Sequence, residues 1–154
     1  MSQHAPQFDF SQVDNRSLRV TLIASRFNEE LVGGLLERTI AELKRLGVQS
    51  ENLHIDRVPG SAELPYACQR RARQHNCDVL IALGVLIAGE TQHHDIVSRT
   101  VSMGLQQVSL QDQIPVINGV ISAETYQQAE DRTVGRIERG KEFAEAAVVM
   151  AHWK

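Results

Sequence analysis

The sequence predicts an α/β protein in three layers, a four-stranded parallel sheet with helices on both faces. Two observations carry this. Four short apolar runs alternate with longer segments whose apolar residues recur at helical spacing, and strands joined through helices over short connections form parallel βαβ units. The third run, Asp78-Val-Leu-Ile-Ala-Leu-Gly84, is apolar at nearly every position, as a strand covered on both faces must be. The chain of 154 residues has the length of one domain, a size at which roughly 70% of the unfolded surface is buried on folding.

Residues 1–17 lack periodicity and read as a flexible N-terminal arm ahead of a single domain over 18–154. Phe8 and Phe10 alternate as a short strand would, if some surface accepts them. Leu18–Ser25 is the first buried strand. Glu29–Leu46 places Leu31, Leu35, Leu36, Ile40, Leu43 and Leu46 on one face and stops at Gly47, which predicts a helix. Asn52–Val58 alternates apolar and polar residues and ends at Pro59-Gly60, giving a second strand. Glu63–His75 is a second helix, because Pro65 is tolerable in a first turn. His93–Leu110 is a third, through Ile96, Val97, Val101, Leu105 and Val108. Ile114–Ile121 is the fourth strand, with Ser122 the candidate N-cap of the next helix. A charged stretch, Asp131–Glu142, precedes a last helix at Phe143–Trp153.

A net charge of −3 with both signs interspersed gives no footprint for nucleic acid or an anionic membrane. Small molecules and other protein chains remain as partners. Cys68 and Cys77 fall in or at the end of one predicted helix and read as small thiols in a reducing compartment, with no bridge or metal clip. The first residues hold no signal-peptide core, and no apolar run matches a bilayer. A soluble, cytoplasmic protein is expected.

In open parallel sheets ligands bind outside the carboxyl ends of the strands, so the residues there decide the chemistry. Arg26-Phe27-Asn28 follows the first strand, Pro59-Gly60-Ser61-Ala62-Glu63 the second, and Val85 through Asp95 the third; Asn118 lies in the fourth, with Arg132 beyond it. Gly89-Glu90-Thr91 opens a helix, where free N–H groups and the helix dipole favour an anion; plain capping by Thr91 explains the same residues. The sequence has neither a Walker loop nor a dinucleotide GxGxxG. His93 and His94 point about 100° apart on a helix, which disfavours a shared metal. Either is a bland helix histidine or a general acid/base beside an anion site. Phe27 is a core ring or a stacking surface, Glu63 a dipole partner or a ligand group, Arg132 a solvated charge or a contact. No GxSxG elbow or Cys–His signature is present.

Arg26-Phe27-Asn28, Val58-Pro-Gly-Ser-Ala-Glu-Leu-Pro65, Ile81-Ala-Leu-Gly-Val-Leu-Ile-Ala-Gly-Glu-Thr-Gln-His93 and Pro115-Val-Ile-Asn-Gly119 resemble the successive blocks of lumazine synthases, in order, over about Leu18–Ala151. The resemblance implies a flavodoxin-like sandwich and riboflavin biosynthesis: a transferase condensing 5-amino-6-(ribitylamino)uracil with 3,4-dihydroxy-2-butanone 4-phosphate, releasing phosphate and water without metal or organic cofactor. It implies that Phe27 stacks on the pyrimidine and that Ser61, Ala62 and Glu63 border the ribityl chain. Leu86 and Ile87 would offer backbone groups to the uracil. Gly89, Glu90 and Thr91 would bind phosphate with Arg132 of a neighbouring subunit, and with Lys141 from the late Lys-Gly region. His93 would be the acid/base.

Four positions depart from the family pattern. Ala62 and Asn118 stand where aromatic residues are usual, Asn118 reaching the ring from the adjacent subunit. Ala88 replaces a common Arg, and His94 replaces a Phe or Tyr; the His94 side chain is expected to point elsewhere on the helix than that of His93, away from the site. Two other readings of the same fold are a non-catalytic flavin- or lumazine-binding relative and a structural shell protein. The family also implies a homopentamer, with the arm adding a strand to the next subunit. The stretch Thr133-Val-Gly-Arg-Ile-Glu-Arg-Gly-Lys141 lacks the short kink of cage-forming members, so free pentamers or paired pentamers are expected and a sixty-subunit shell is not.

Overall fold

A computed structural model of the chain describes residues 4–153; the first three residues of the predicted arm and Lys154 lie outside them. In order come β1 (Val20–Ser25), α1 (Glu29–Arg45), β2 (Leu53–Val58), α2 (Leu64–Ala72), β3 (Val79–Ile87), α3 (His93–Asp112), β4 (Val116–Ala123), α4 (Tyr126–Thr133) and α5 (Arg139–Ala151). Single 3-10 turns lead into β2 and α2. All strand pairs are parallel, in the order β2-β1-β3-β4.

The strand period of two sorts side chains into two cores. Val20, Leu22 and Ala24 of β1 and Val79, Ile81, Leu83 and Val85 of β3 face one way, against Leu31, Val32, Leu35 and Leu43 of α1 and Phe143, Ala144 and Ala147 of α5. Ile23, Leu80 and Ala82 face the other, against Leu64, Cys68 and Ala72 of α2 and Val101, Leu105 and Val108 of α3. The expected sandwich is present. Within it Cys68 is buried and its thiol is pushed up to about 12 by desolvation, as expected of an inert core cysteine.

Several boundaries differ from the sequence reading. Ser122 does not cap a helix: the β3–β4 ladder runs on through Leu86↔Ser122 and Ile87↔Ala123, so β4 absorbs it. Thr125 caps α4, its hydroxyl accepting from the Gln128 N–H at 3.2 Å. The charged stretch is two helix ends. Asp131–Thr133 closes α4 and Arg139–Glu142 opens α5, because Gly140 is buried against α1. The arm forms no strand among its described residues; Phe10 packs on the α1/α5 core, and the Phe8 ring lies 6.0 Å from it. No described helix is long and apolar enough to cross a membrane.

Asp56 on the edge strand β2 accepts hydrogen bonds from Arg71 of α2 at 2.5 and 2.8 Å, with His54 at 3.1 Å. The Arg71 guanidinium, and less so His54, hold the Asp56 carboxyl below the usual carboxylate range. A depressed folded pKa adds stability above the unfolded value of about 4 and loses it as pH falls through the lower folded value. In urea titrations, Asp56→Asn is expected to cost most near neutrality, the gap to the parent closing below about pH 4. A gap independent of pH would refute the pairing as its cause.

Candidate active site at the carboxyl edge of the sheet

Three strand ends are laced together by main chain. The Arg26 N–H donates to the carbonyls of Val58 (2.9 Å) and Pro59 (3.2 Å), and the Phe27 N–H to Pro59 (3.2 Å), tying β1 to β2. Asn28 follows in the left-handed region at φ 57°, ψ 49°, which Asn tolerates better than most residues. Its side-chain amide donates to the Val85 carbonyl at 2.8 Å, tying β1 to β3. The exit of β2 is fixed by Glu63, whose carboxylate accepts from the Gly60 N–H at 2.8 Å. A side chain at Gly60 would meet Glu63 Oε2 at 3.1 Å and the Phe27 ring at 3.2 Å, so glycine lets the turn and the ring close up.

Behind this edge lie two buried hydroxyls, Ser25 and Ser61, neither with a hydrogen-bond partner among the described residues. Both fill space that Gly84 leaves open: a Cβ there would fall 2.3 Å from Ser61 Oγ and 3.3 Å from Ser25 Oγ. Gly84→Ala is therefore expected to cost about 1–3 kcal/mol through overpacking, and Ser61→Ala in that background to recover much of the loss. Melting curves of the two single variants and the double variant test this; simple additivity would show that the contact is not the cause.

These ends enclose a groove of about 470 Å³. Phe27 and Asn28 border it after β1, Gly60 to Glu63 after β2 and Val85 to Ile87 along β3; Gly89, Thr91, His93, His94 and Val97 close it from the α3 side. Between β1 and β3 the connections run to opposite sides, the switch point at which such sheets bind ligands. Phe27 is 71% exposed, an aromatic surface left open to a ligand. At the α3 N-terminus Gln92 provides no side-chain cap. Thr91 Oγ1 is 3.4 Å from the His93 N–H, a long contact, and a Cβ at Gly89 would meet nothing within 4 Å. This leaves an uncluttered helix N-terminus, suited to an anion.

Of the residues singled out from the sequence, Phe27, Ser61, Ala62, Glu63, Leu86, Ile87, Gly89, Thr91 and His93 share this groove. Glu90 is exposed beside it. Three others lie elsewhere on the chain. Asn118 donates to Ser102 Oγ at 3.0 Å on the outer side of α3, Arg132 sits on α4, and Lys141 on α5 faces the arm.

His94 corrects the sequence reading. It does not turn away from the groove but lines it together with His93. The groove wraps the first turn of α3, so two positions about 100° apart both fall on its wall. His94 is mostly buried, with Nε2 3.9 Å from a Glu124 carboxylate oxygen, whereas His93 is exposed.

Residues 17–154 match the family model described as 6,7-dimethyl-8-ribityllumazine synthase. The chain belongs to this family. Among lumazine synthases it is 40% identical over 142 residues to one from Cupriavidus pinatubonensis, covering 92% of this chain and 83% of the relative. It is 41% identical over 140 residues to one from Paraburkholderia phymatum, covering 91% and 80%. An Azoarcus relative is 39% identical over 143 residues, covering 92% and 89%. Against the lumazine synthase pattern, Ala62 and His94 fall on the groove wall, so two departures alter its lining directly. Sequence reasoning placed Gly60 and Val85 at the strand ends without giving them a role, and missed Val97 and the bracing role of Asn28. The signal for Asn28 was present: an Asn with no glycine beside it, between a strand end and a helix start.

Proposed function

We propose that this chain acts in riboflavin biosynthesis as a transferase, condensing 5-amino-6-(ribitylamino)uracil with 3,4-dihydroxy-2-butanone 4-phosphate to 6,7-dimethyl-8-ribityllumazine. The observation that carries this is the convergence of Phe27, the Ser61–Glu63 turn, the Leu86–Ile87 main chain, the bare α3 N-terminus and His93 on one groove. Phe27 offers its face to the pyrimidine. Ser61, Ala62 and Glu63 border the ribityl chain, the Glu63 carboxylate retaining acceptor capacity beyond its bond to Gly60. Leu86 and Ile87 present main-chain groups to the uracil edge. Gly89, Glu90 and Thr91 receive the phosphate at the positive end of the α3 dipole.

Amine addition to the ketone expels one water, loss of phosphate follows proton removal, and ring closure by the second amine expels another water after a further proton shift. An imidazole beside the phosphate serves each, and such groups typically contribute 10²–10⁴-fold. Holding the two substrates against each other supplies much of the rest. No step calls for a metal or organic cofactor. Incubating the protein with both substrates and following lumazine absorbance tests the proposal. A second reading, a flavin- or lumazine-binding relative without turnover, is favoured by Ala62 and by Phe27 being, among the described residues, the only Phe, Tyr or Trp on the groove wall. Tight lumazine binding with no product formation would establish it.

The chain works as a cytoplasmic homopentamer, alone or paired as a decamer. Supporting this, Ile96, Met103 and Leu110 of α3 are 61%, 74% and 70% exposed, an apolar face that the chain's own elements leave uncovered. Asn118 lies beside it, placed to reach a neighbour's groove, and Arg132 and Lys141 complete the phosphate site from the adjacent copy. Inorganic phosphate should then compete with the butanone phosphate and not with the uracil. Arg132→Ala should raise the KM of the phosphorylated substrate selectively, by roughly 10-fold or more for a charge-assisted contact. Competition against the uracil alone would misplace the site.

A further inference from the structure

Resting on the proposed role of Arg132 at a neighbour's phosphate site, we infer that Gly34 and Arg38 of α1 are positioning residues for that arginine. They clamp the α4–α5 connection, which follows directly on the last turn of α4, where Arg132 sits. Val134, two residues on, occupies the notch that Gly34 leaves: a Cβ at Gly34 would fall 2.1 Å from Val134 Cγ1. One turn along α1, the Arg38 guanidinium donates through Nη1 to the Gly135 carbonyl at 2.6 Å and through Nη2 to the Val134 carbonyl. A planar fork can hold two successive carbonyls at once, which a lysine ammonium cannot do with the same rigidity.

The connection is also tight within itself. The N–H groups of Gly135 and Ile137 donate to the Glu130 and Asp131 carbonyls, both at 2.8 Å, and a Cβ at Gly135 would lie 2.7 Å from Asp131 Cα. Further on, Gly140 seats α5 on the same helix, its missing Cβ 3.1 Å from Arg38 Cβ and from Thr39 Oγ1. Three consecutive contacts on α1 thus fix the segment.

Arg132 is held differently from the two arginines that follow it in the chain. Arg136 pairs with Asp131 and Arg139 with Glu142, whereas Arg132 has no acidic partner among the described residues and bonds only the Gln128 carbonyl of its own helix, at 2.9 Å. A charge kept out of local ion pairs and mounted on a clamped segment suits a contact to an anion outside its own chain. Displacements near 1 Å at such contacts are costly, so the clamp sets the reach of the guanidinium.

The test compares Arg38→Ala, Arg38→Lys and Arg132→Ala in the assembled protein, measuring KM for each substrate and inhibition by inorganic phosphate. Arg38→Ala should raise the KM of the phosphorylated substrate and the phosphate inhibition constant together, roughly ten-fold, leaving the KM of the uracil unchanged. Arg38→Lys should recover only part of this, and Arg38→Ala should add nothing in the Arg132→Ala background. Should Arg38→Ala fail to fold, Gly34→Ala should give the same selective loss, and Val134→Ala added to it should reverse the loss. Equal changes in both KM values, no change, or additivity with Arg132→Ala would overturn the clamp while leaving the role of Arg132 intact. An Arg132→Ala variant with unaltered phosphate inhibition would instead remove the reading beneath it, and the clamp with it.

Discussion

His93→Ala is expected to lower kcat by about 10–10³-fold through loss of the acid/base, while the melting curve stays with that of the parent. The exposed imidazole of His93 makes no side-chain hydrogen bond among the described residues, so its removal leaves no buried group unpaired. His94→Ala should behave in the opposite way. That ring is mostly buried and lies near Glu124, so its loss opens a hole between α3 and the β4 exit and lowers the melting temperature, with a smaller effect on kcat. The pair of variants separates chemistry from packing on adjacent positions of one helix turn. Equal losses of kcat from both would sink the assignment of His93. Added imidazole restoring turnover to His93→Ala alone would strengthen it.

The second large effect concerns assembly. Met103 is 74% exposed in the middle of the apolar α3 face, so a Met103→Glu variant places a carboxylate where a neighbour would pack. An unpaired charge buried at an interface costs several kcal/mol, enough to dissociate a ring of modest contacts. Light scattering should show monomers with unchanged far-ultraviolet circular dichroism. Activity at low substrate should fall by more than about 10²-fold, because each groove then lacks Arg132, Lys141 and Asn118 of its neighbour together. A monomer with full activity would undo the shared-site proposal. A parent particle near the mass of sixty chains would refute the argument from the 133–141 stretch.

The architecture was legible because the chain alternates periods cleanly. β3 is apolar throughout, and the Leu and Val positions of α1 repeat on one face, so local pattern and global fold agree. Strand and helix ends were less so. Gly84 looked like the stop of a strand that in fact runs to Ile87, because its missing side chain serves Ser61 across the sheet and not a turn. Ser122 resembled a cap, but ladder hydrogen bonds with β3 outweighed its capping preference. Most of the groove could be named from the residues after each strand, since topology alone collects them at one edge. The facing of His94 could not, because angular spacing on a helix says nothing of how wide an adjoining groove is. Nor could the Gly34 notch, which exists only once a residue a hundred positions later is folded against it.

The order of strands also governs when the groove comes into being. Its walls need β1, β2 and β3 side by side, and the central pairing joins Val20 to Val79, far apart in sequence. No two strands of this sheet form a hairpin, so every pairing closes a long loop before it gains contacts, which slows folding. A ribosome-bound chain that has emerged only as far as α2 has β1 and β2 but no β3 to receive the Asn28 amide or seat Ser61. The groove is therefore a late product of synthesis, completed when β3 slots in beside β1 and the α3 N-terminus follows it. Ligands of the groove should act on the final stage of refolding, slowing unfolding while leaving the early collapse rate unchanged.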